Sequence, residues 1–163
     1  MDMYDALGYA GFFLVCVLTA SSGVFFRPGT WYEALQKPWW RPPNWLFGPA
    51  WSVLYLTISV AGWLVWRKAG FQGAGLALGV YFVHLAINAA WSGLFFGLRR
   101  MDLALVDVGL LWLSIIVMIV LFHPIDPTAA WLLLPYLAWV SFASFLNFTM
   151  LRLNPNPVLP RPA

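Results

Sequence analysis

Five stretches of the chain, approximately residues 6–26, 46–66, 74–98, 103–122 and 129–151, are apolar almost without interruption. Each is about 20 residues or longer, the length a helix needs to cross a ~30 Å hydrocarbon layer. A β-barrel would show alternating strands of about 10 residues instead. Helices also satisfy every backbone N–H and C=O within the segment, as lipid demands. Composition agrees, since 62% of the residues are hydrophobic and only 9% are charged. A soluble domain carries roughly a quarter charged residues. The expected fold class is therefore an all-α membrane protein, a bundle of five transmembrane helices in a single domain spanning 1–163.

The remaining chain is short connections. Residues 67–73 are expected to join the second and third helices, 99–102 the third and fourth, and 123–128 the fourth and fifth. The Pro-rich tail, 154–163, is expected to be flexible. The first segment has an acidic flank (Asp2, Asp5) and no clear cleavage signature, so it reads as a retained helix. The net charge of +3 comes from scattered basic residues. A nucleic-acid surface would need them clustered on one face. A single cysteine, Cys16, allows no disulfide framework.

Seven basic residues (Arg27, Lys37, Arg41, Arg99, Arg100, Arg152, Arg161) fall on one side of the expected topology, and two (Arg67, Lys68) on the other. The positive-inside bias then puts the connection between the first two helices, and the C-terminus, on the cytoplasmic side.

That connection is the most unusual stretch. WYEALQKPWWRPPNWLFGPAW, residues 31–51, holds five tryptophans and four prolines. One reading is an interfacial belt, with indoles at headgroup depth. The other is a lid. Pro38, Pro42, Pro43 and Pro49 stiffen the backbone, and the dense aromatics with Lys37 and Arg41 make a π-rich, partly cationic surface suited to a planar anionic ligand such as a porphyrin.

Two helices carry polar stripes. His84, Asn88, Trp91 and Phe95 lie at i, i+4, i+7 and i+11 in the third. Tyr136, Trp139, Ala143 and Asn147 lie at i, i+3, i+7 and i+11 in the fifth. Amides and imidazoles are costly in hydrocarbon unless paired, so both stripes are expected to face inward, as interhelical hydrogen bonds or as ligand contacts. His84 has no second histidine or carboxylate near it in sequence, so no metal site is expected. Pro135 is expected to kink the fifth helix. Asp107 lies inside the fourth, where a carboxylate pairs with Arg99 or Arg100 or serves function. Gly75/Gly79 and Gly93/Gly97 each form GxxxG, which points to a homodimer through the third helix. No catalytic constellation is legible, so the chain does not read as a conventional enzyme.

Taken together these residues resemble the TspO/translocator-protein family (peripheral benzodiazepine receptors, tryptophan-rich sensory proteins). The resemblance rests on Trp31-Tyr32-x-x-Leu35-x-Lys37-Pro38-x-Trp40-x-Pro42-Pro43, on Pro49-x-Trp51-x-x-Leu54-Tyr55, and on the two stripes with Phe96 and Leu146. Ala104-Leu-Val-Asp107 resembles animal members. The resemblance covers nearly the whole chain. It implies a TspO-like bundle, commonly dimeric, that binds protoporphyrin IX, isoquinoline- or benzodiazepine-type molecules and, in some members, cholesterol. By matching position, the implied pocket lining includes Trp31, Trp39, Phe47, Trp51, Tyr55, Asn88, Trp139, Ala143 and Asn147, and Trp91 on the same stripe joins the candidate ligand contacts. Porphyrin photodegradation in the family is tied to tryptophans matching Trp51 and Trp139.

Two departures stand out. Phe148 occupies the region where the family's cholesterol motif has a tyrosine, which argues against sterol binding. His84 stands where many relatives have glutamine. The expected function is a membrane receptor or sensor for tetrapyrroles that regulates tetrapyrrole metabolism. Light- and oxygen-dependent porphyrin degradation, or porphyrin or sterol transport, are the alternatives. A secondary-active transporter would need an inverted repeat or a charge relay, and the sequence offers neither beyond Asp107.

Overall fold

A computed structural model describes residues 3–155. The elements are α1 (Met3–Phe25), a short α2 (Thr30–Ala34), α3 (Asn44–Gly73), α4 (Gly75–Ser92), α5 (Met101–Phe122), α6 (Pro127–Leu132) and α7 (Leu134–Leu153). A π-helical turn, Gly93–Gly97, extends α4. Five spans are long and apolar enough to cross a membrane: α1, α3, α4 with its π turn, α5, and α6 with α7. The protein is thus an all-α, multi-pass membrane bundle.

The helices pack as a closed circuit. α1 lies on α3 and α4, α4 on α5, α5 on α7, and α3 meets the last span at α6. Glycines permit the closest approaches. A Cβ on Gly62 would come within 3 Å of Tyr81 and Phe12, and one on Gly8 would overlap the Trp66 ring.

The connections differ from expectation. Residues 67–69 continue α3 rather than forming a loop, and the chain turns at Gly70, whose φ of 62° favours glycine, before a last helical stretch to Gly73. Just before that break, Lys68 Nζ reaches Asp126 Oδ2 at 3.3 Å. Asp126 also caps α6 by accepting from the Ala129 N–H at 3.2 Å. Pro135 does not kink a continuous helix. The chain breaks at Leu133, and Pro135 occupies the first turn of α7, where its missing N–H costs nothing. Arg100 pairs with Asp102 through two bonds of 2.8 and 2.6 Å, not with Asp107. Asp107 Oδ2 is buried without a hydrogen-bond partner.

The two GxxxG motifs face different ways. Gly93 and Gly97 point at Phe26, and a Cβ on Gly97 would lie 2.9 Å from its ring. A Cβ on Gly75 or Gly79 would meet nothing within 4 Å. The second motif is therefore used inside the chain, and the first is open. Of the tail, Asn154 is held by hydrogen bonds, and residues 156–163 and Arg161 lie outside the described residues.

Candidate functional site

A cavity of about 600 Å³ occupies the half of the bundle beneath the connection between α1 and α3. That volume lies in the range of small-molecule and cofactor sites. Its walls come from the second half of α1, the first half of α3, the end of α4, and the middle of α7, with Val108 and Leu111 of α5 behind.

The connection folds over this space as a cap. Tyr32, on α2, is buried and packs edge-on against Phe95 and Phe96. Lys37 Nζ lies 4.9 Å from the centre of the Tyr32 ring, and the Arg41 guanidinium lies 5.9 Å away. Arg41 also donates to Tyr32 Oη at 3.2 Å. Lys37 donates to the Glu33 and Leu35 carbonyls at 2.9 and 3.2 Å. Burial lowers the Lys37 pKa, Glu33 opposes this, and Arg41 lowers it further. One aromatic ring thus gathers the Lys37 and Arg41 cations of the cap. The cap is tied to the end of α7 by Asn154, which accepts from the Gln36 N–H at 2.9 Å and donates to the Gln36 carbonyl at 2.9 Å.

Eight of the ten expected site residues line the cavity: Phe47, Trp51, Tyr55, Asn88, Trp91, Trp139, Ala143 and Asn147. Phe47 and Trp139 meet edge-to-face at 5.8 Å, as do Trp51 and Tyr136 at 6.1 Å, joining α3 to α7 along one wall. Trp91 stacks on Phe95 at 5.0 Å along another. Trp39 and Trp31 are not among the lining residues. Residues 38–41 form a turn closed by Arg41 N–H to Pro38 C=O, and its adjacent side chains diverge. Trp39 is 94% exposed, while Trp40 packs inward on Phe142 and Phe145. On α2, Trp31 packs against the edge of Phe95 with the Arg99 guanidinium 6.0 Å over it, and its neighbour Tyr32 faces the cavity.

Both polar stripes face inward. His84, Asn88 and Phe95 are buried on α4, and Tyr136 and Asn147 on α7. They are linked. Tyr55 Oη donates to Asn88 Oδ1 at 2.7 Å, and Asn88 Nδ2 donates to Tyr136 Oη at 2.5 Å. Tyr136 Oη and His84 Nε2 lie 3.1 Å apart, and His84 Nδ1 and Ser114 Oγ 2.7 Å apart. Helices α3, α4, α5 and α7 are thereby cross-linked by one polar chain.

Three buried polar atoms on lining residues have no hydrogen-bond partner: Trp91 Nε1, Trp139 Nε1 and Asn147 Oδ1. The Asn147 amide is held from its other end, where Nδ2 donates to the Met101 carbonyl at 2.9 Å. An orphaned buried donor or acceptor carries a desolvation cost of about 1–3 kcal/mol. The cavity thus has flat aromatic walls, and two indole N–H groups and one amide carbonyl of its lining residues lie covered and unpartnered just behind its surface.

Tyr32 stood in the sequence reading only as part of the family motif, and Ser114 and the α1 residues Phe13, Val17 and Ala20 were not singled out from sequence. After Asp107, Ser114 is the one hydroxyl in an apolar run of α5, and that was the available signal.

The sequence profile of the TspO/MBR family matches residues 12–153. The chain is 41% identical over 156 residues to the tryptophan-rich sensory protein of Cereibacter sphaeroides, covering 96% of each chain. It is 42% identical over 150 residues to the tryptophan-rich protein TspO of Archaeoglobus fulgidus, covering 91% of this chain and 90% of that one. It is 43% identical over 126 residues to the human translocator protein, covering 76% of this chain and 75% of that one.

Proposed function

The chain belongs to the TspO/MBR family, and we propose that it is a membrane receptor or sensor for a flat aromatic ligand held beneath the cap. The ligand we propose is a protoporphyrin IX-type tetrapyrrole, with benzodiazepine- and isoquinoline-type molecules as smaller occupants. Occupancy would regulate tetrapyrrole metabolism. The observation that carries this reading is the aromatic cavity with unpartnered Trp91 and Trp139 N–H groups and the unpartnered Asn147 carbonyl. Flat walls suit a macrocycle face, and the covered indole donors, uncovered by side-chain rotation on binding, would suit carboxylate or carbonyl oxygens at its rim. The name of the Cereibacter relative, a sensory protein, accords with this role.

Protoporphyrin added to the protein in detergent or nanodiscs is expected to quench tryptophan fluorescence saturably. Trp139→Ala and Asn88→Ala are expected to weaken it. Unchanged affinity in both variants would remove the site.

A second reading is favoured by one observation: Trp51 and Trp139, both oxidisable indoles, line the same cavity. Light-driven degradation of a bound porphyrin, with molecular oxygen as oxidant, would then depend on them. Trp51→Phe and Trp139→Phe would stop porphyrin loss even at porphyrin concentrations that saturate each variant. Equal bleaching without protein would make that reading unnecessary.

The proposed orientation has the cap on the cytoplasmic side, by the charge bias. A cysteine placed at Gln36 should then react with an impermeant thiol reagent only in inside-out vesicles. The proposed assembly is a homodimer through the open Gly75/Gly79 face of α4.

A further inference from the structure

The polar chain behind the cavity has a direction, and counting protons fixes it. Ser114 has one hydroxyl proton, which it donates to the Leu111 carbonyl at 2.6 Å. Its oxygen therefore accepts from His84 Nδ1–H. A second ring proton would make His84 a fully buried cation whose hydrogen-bonding neighbours are both hydroxyls and not carboxylates, an expensive arrangement in a bundle interior. Nε2 is thus a lone pair, and Tyr136 must donate to it. With its proton committed, Tyr136 Oη can only accept, so it takes Asn88 Nδ2–H. This pins the Asn88 amide with Oδ1 toward Tyr55, whose proton it accepts. Tyr55 lines the cavity, and its proton is already engaged.

We propose that His84 is a positioning residue for ligand selection. It polarises the Tyr136–Asn88–Tyr55 chain so that Tyr55 meets the ligand as a hydrogen-bond acceptor, and the cavity favours flat aromatic ligands that bring an N–H or O–H to that oxygen. This rests on the reading of the cavity as a ligand site. Without the Nε2 lone pair the chain reverses. Tyr136 donates to Asn88 Oδ1, the amide turns over, Nδ2 donates to Tyr55, and the Tyr55 proton turns toward the ligand. The selectivity that His84 sets therefore changes with no change in the residues that touch the guest.

The test uses carbazole and dibenzofuran, planar tricycles of the same shape that differ by N–H against O. Affinities for the full-length protein are measured by tryptophan quenching. The carbazole-to-dibenzofuran ratio is expected to fall about fivefold in His84→Leu and in Tyr55→Phe, the scale of one hydrogen bond. His84→Gln is expected to keep the wild-type ratio, because its carbonyl accepts from Tyr136 and its amide donates to Ser114. Should His84→Leu fail to fold, Ser114→Ala decides. It frees the imidazole tautomer, and the ratio is expected to fall there too. A ratio unchanged in Tyr55→Phe, or in every folded His84→Leu and Ser114→Ala protein, overturns the proposal while leaving the cavity as a binding site. Wild-type protein that binds neither tricycle and no protoporphyrin overturns the binding-site reading, and this proposal with it.

Discussion

Asn154 and Gln36, 118 residues apart, are joined as an amide pair: the Asn154 side chain accepts from the Gln36 N–H and donates to its carbonyl, each at 2.9 Å. Asn154 Nδ2 also donates to the Met150 carbonyl at 2.8 Å, so the end of α7 and the cap share one side chain. The α7 terminus thereby fastens the cover of the cavity whose wall α7 supplies.

Replacing Asn154 by alanine is expected to cost about 1 kcal/mol, since the Gln36 groups can turn to water. The larger effect falls on the cap. Amide exchange at Gln36 should accelerate, and a bound porphyrin should dissociate faster with little change in its association rate. Stopped-flow release and hydrogen exchange check both.

Trp91→Phe and Trp139→Phe separate shape from hydrogen bonding. Each keeps a ring in the wall and deletes an N–H that is buried without a partner. The unliganded protein is expected to melt at the same temperature or higher, because the desolvation cost disappears with the donor. Porphyrin affinity is expected to drop about tenfold, roughly 1.4 kcal/mol. Thermal melts and quenching titrations on the same samples decide.

Glycines in the bundle should divide by what faces them. Gly62→Ala drives a methyl into Tyr81 and Phe12 and is expected to destabilise by about 1–3 kcal/mol. A Cβ at Gly79 meets nothing within 4 Å, so the Gly79→Leu monomer should melt normally. If α4 forms the proposed dimer, the same substitution should abolish cross-linking between copies. Unaltered cross-linking would place the dimer face elsewhere.

The link between α3 and α6 should be acid-sensitive. Burial pushes the Asp126 carboxyl up, but the Ala129 N–H and Lys68 outweigh it, and the pKa lies below its ordinary 3.8. The folded state therefore binds this proton less readily than the unfolded chain. Its stabilisation is complete above the ordinary value and fades as pH falls through the folded one. Melting temperatures of wild type and Asp126→Asn should differ at pH 6 and converge as the pH falls well below the ordinary carboxyl value.

The inward stripes were legible because helical spacing fixes which residues share a face: His84, Asn88, Tyr136 and Asn147 are all buried. Hydrophobic length likewise located the five spans. The cap was legible in kind but not in detail. Trp39 and Trp40 are adjacent and identical, and only the turn at residues 38–41 decides which one packs inward. Ser114 is a short hydroxyl in an apolar helix, and its importance appears only when α5 sets it 2.7 Å from His84. Gly70 fell within the expected connection because Arg67 and Lys68 end the apolar run before it, yet α3 runs to the glycine that turns the chain.

The cavity has two kinds of wall. Helices α3, α4 and α7 meet it with aromatic rings braced by the polar chain, whereas α1 meets it with the exposed apolar side chains Phe13, Val17 and Val24. Such a chamber has a fixed jaw and a yielding one. Its upper size limit is set by how far the first helix can lean into the bilayer, so bulkier guests would be admitted more readily in soft, loosely packed membranes than in stiff ones.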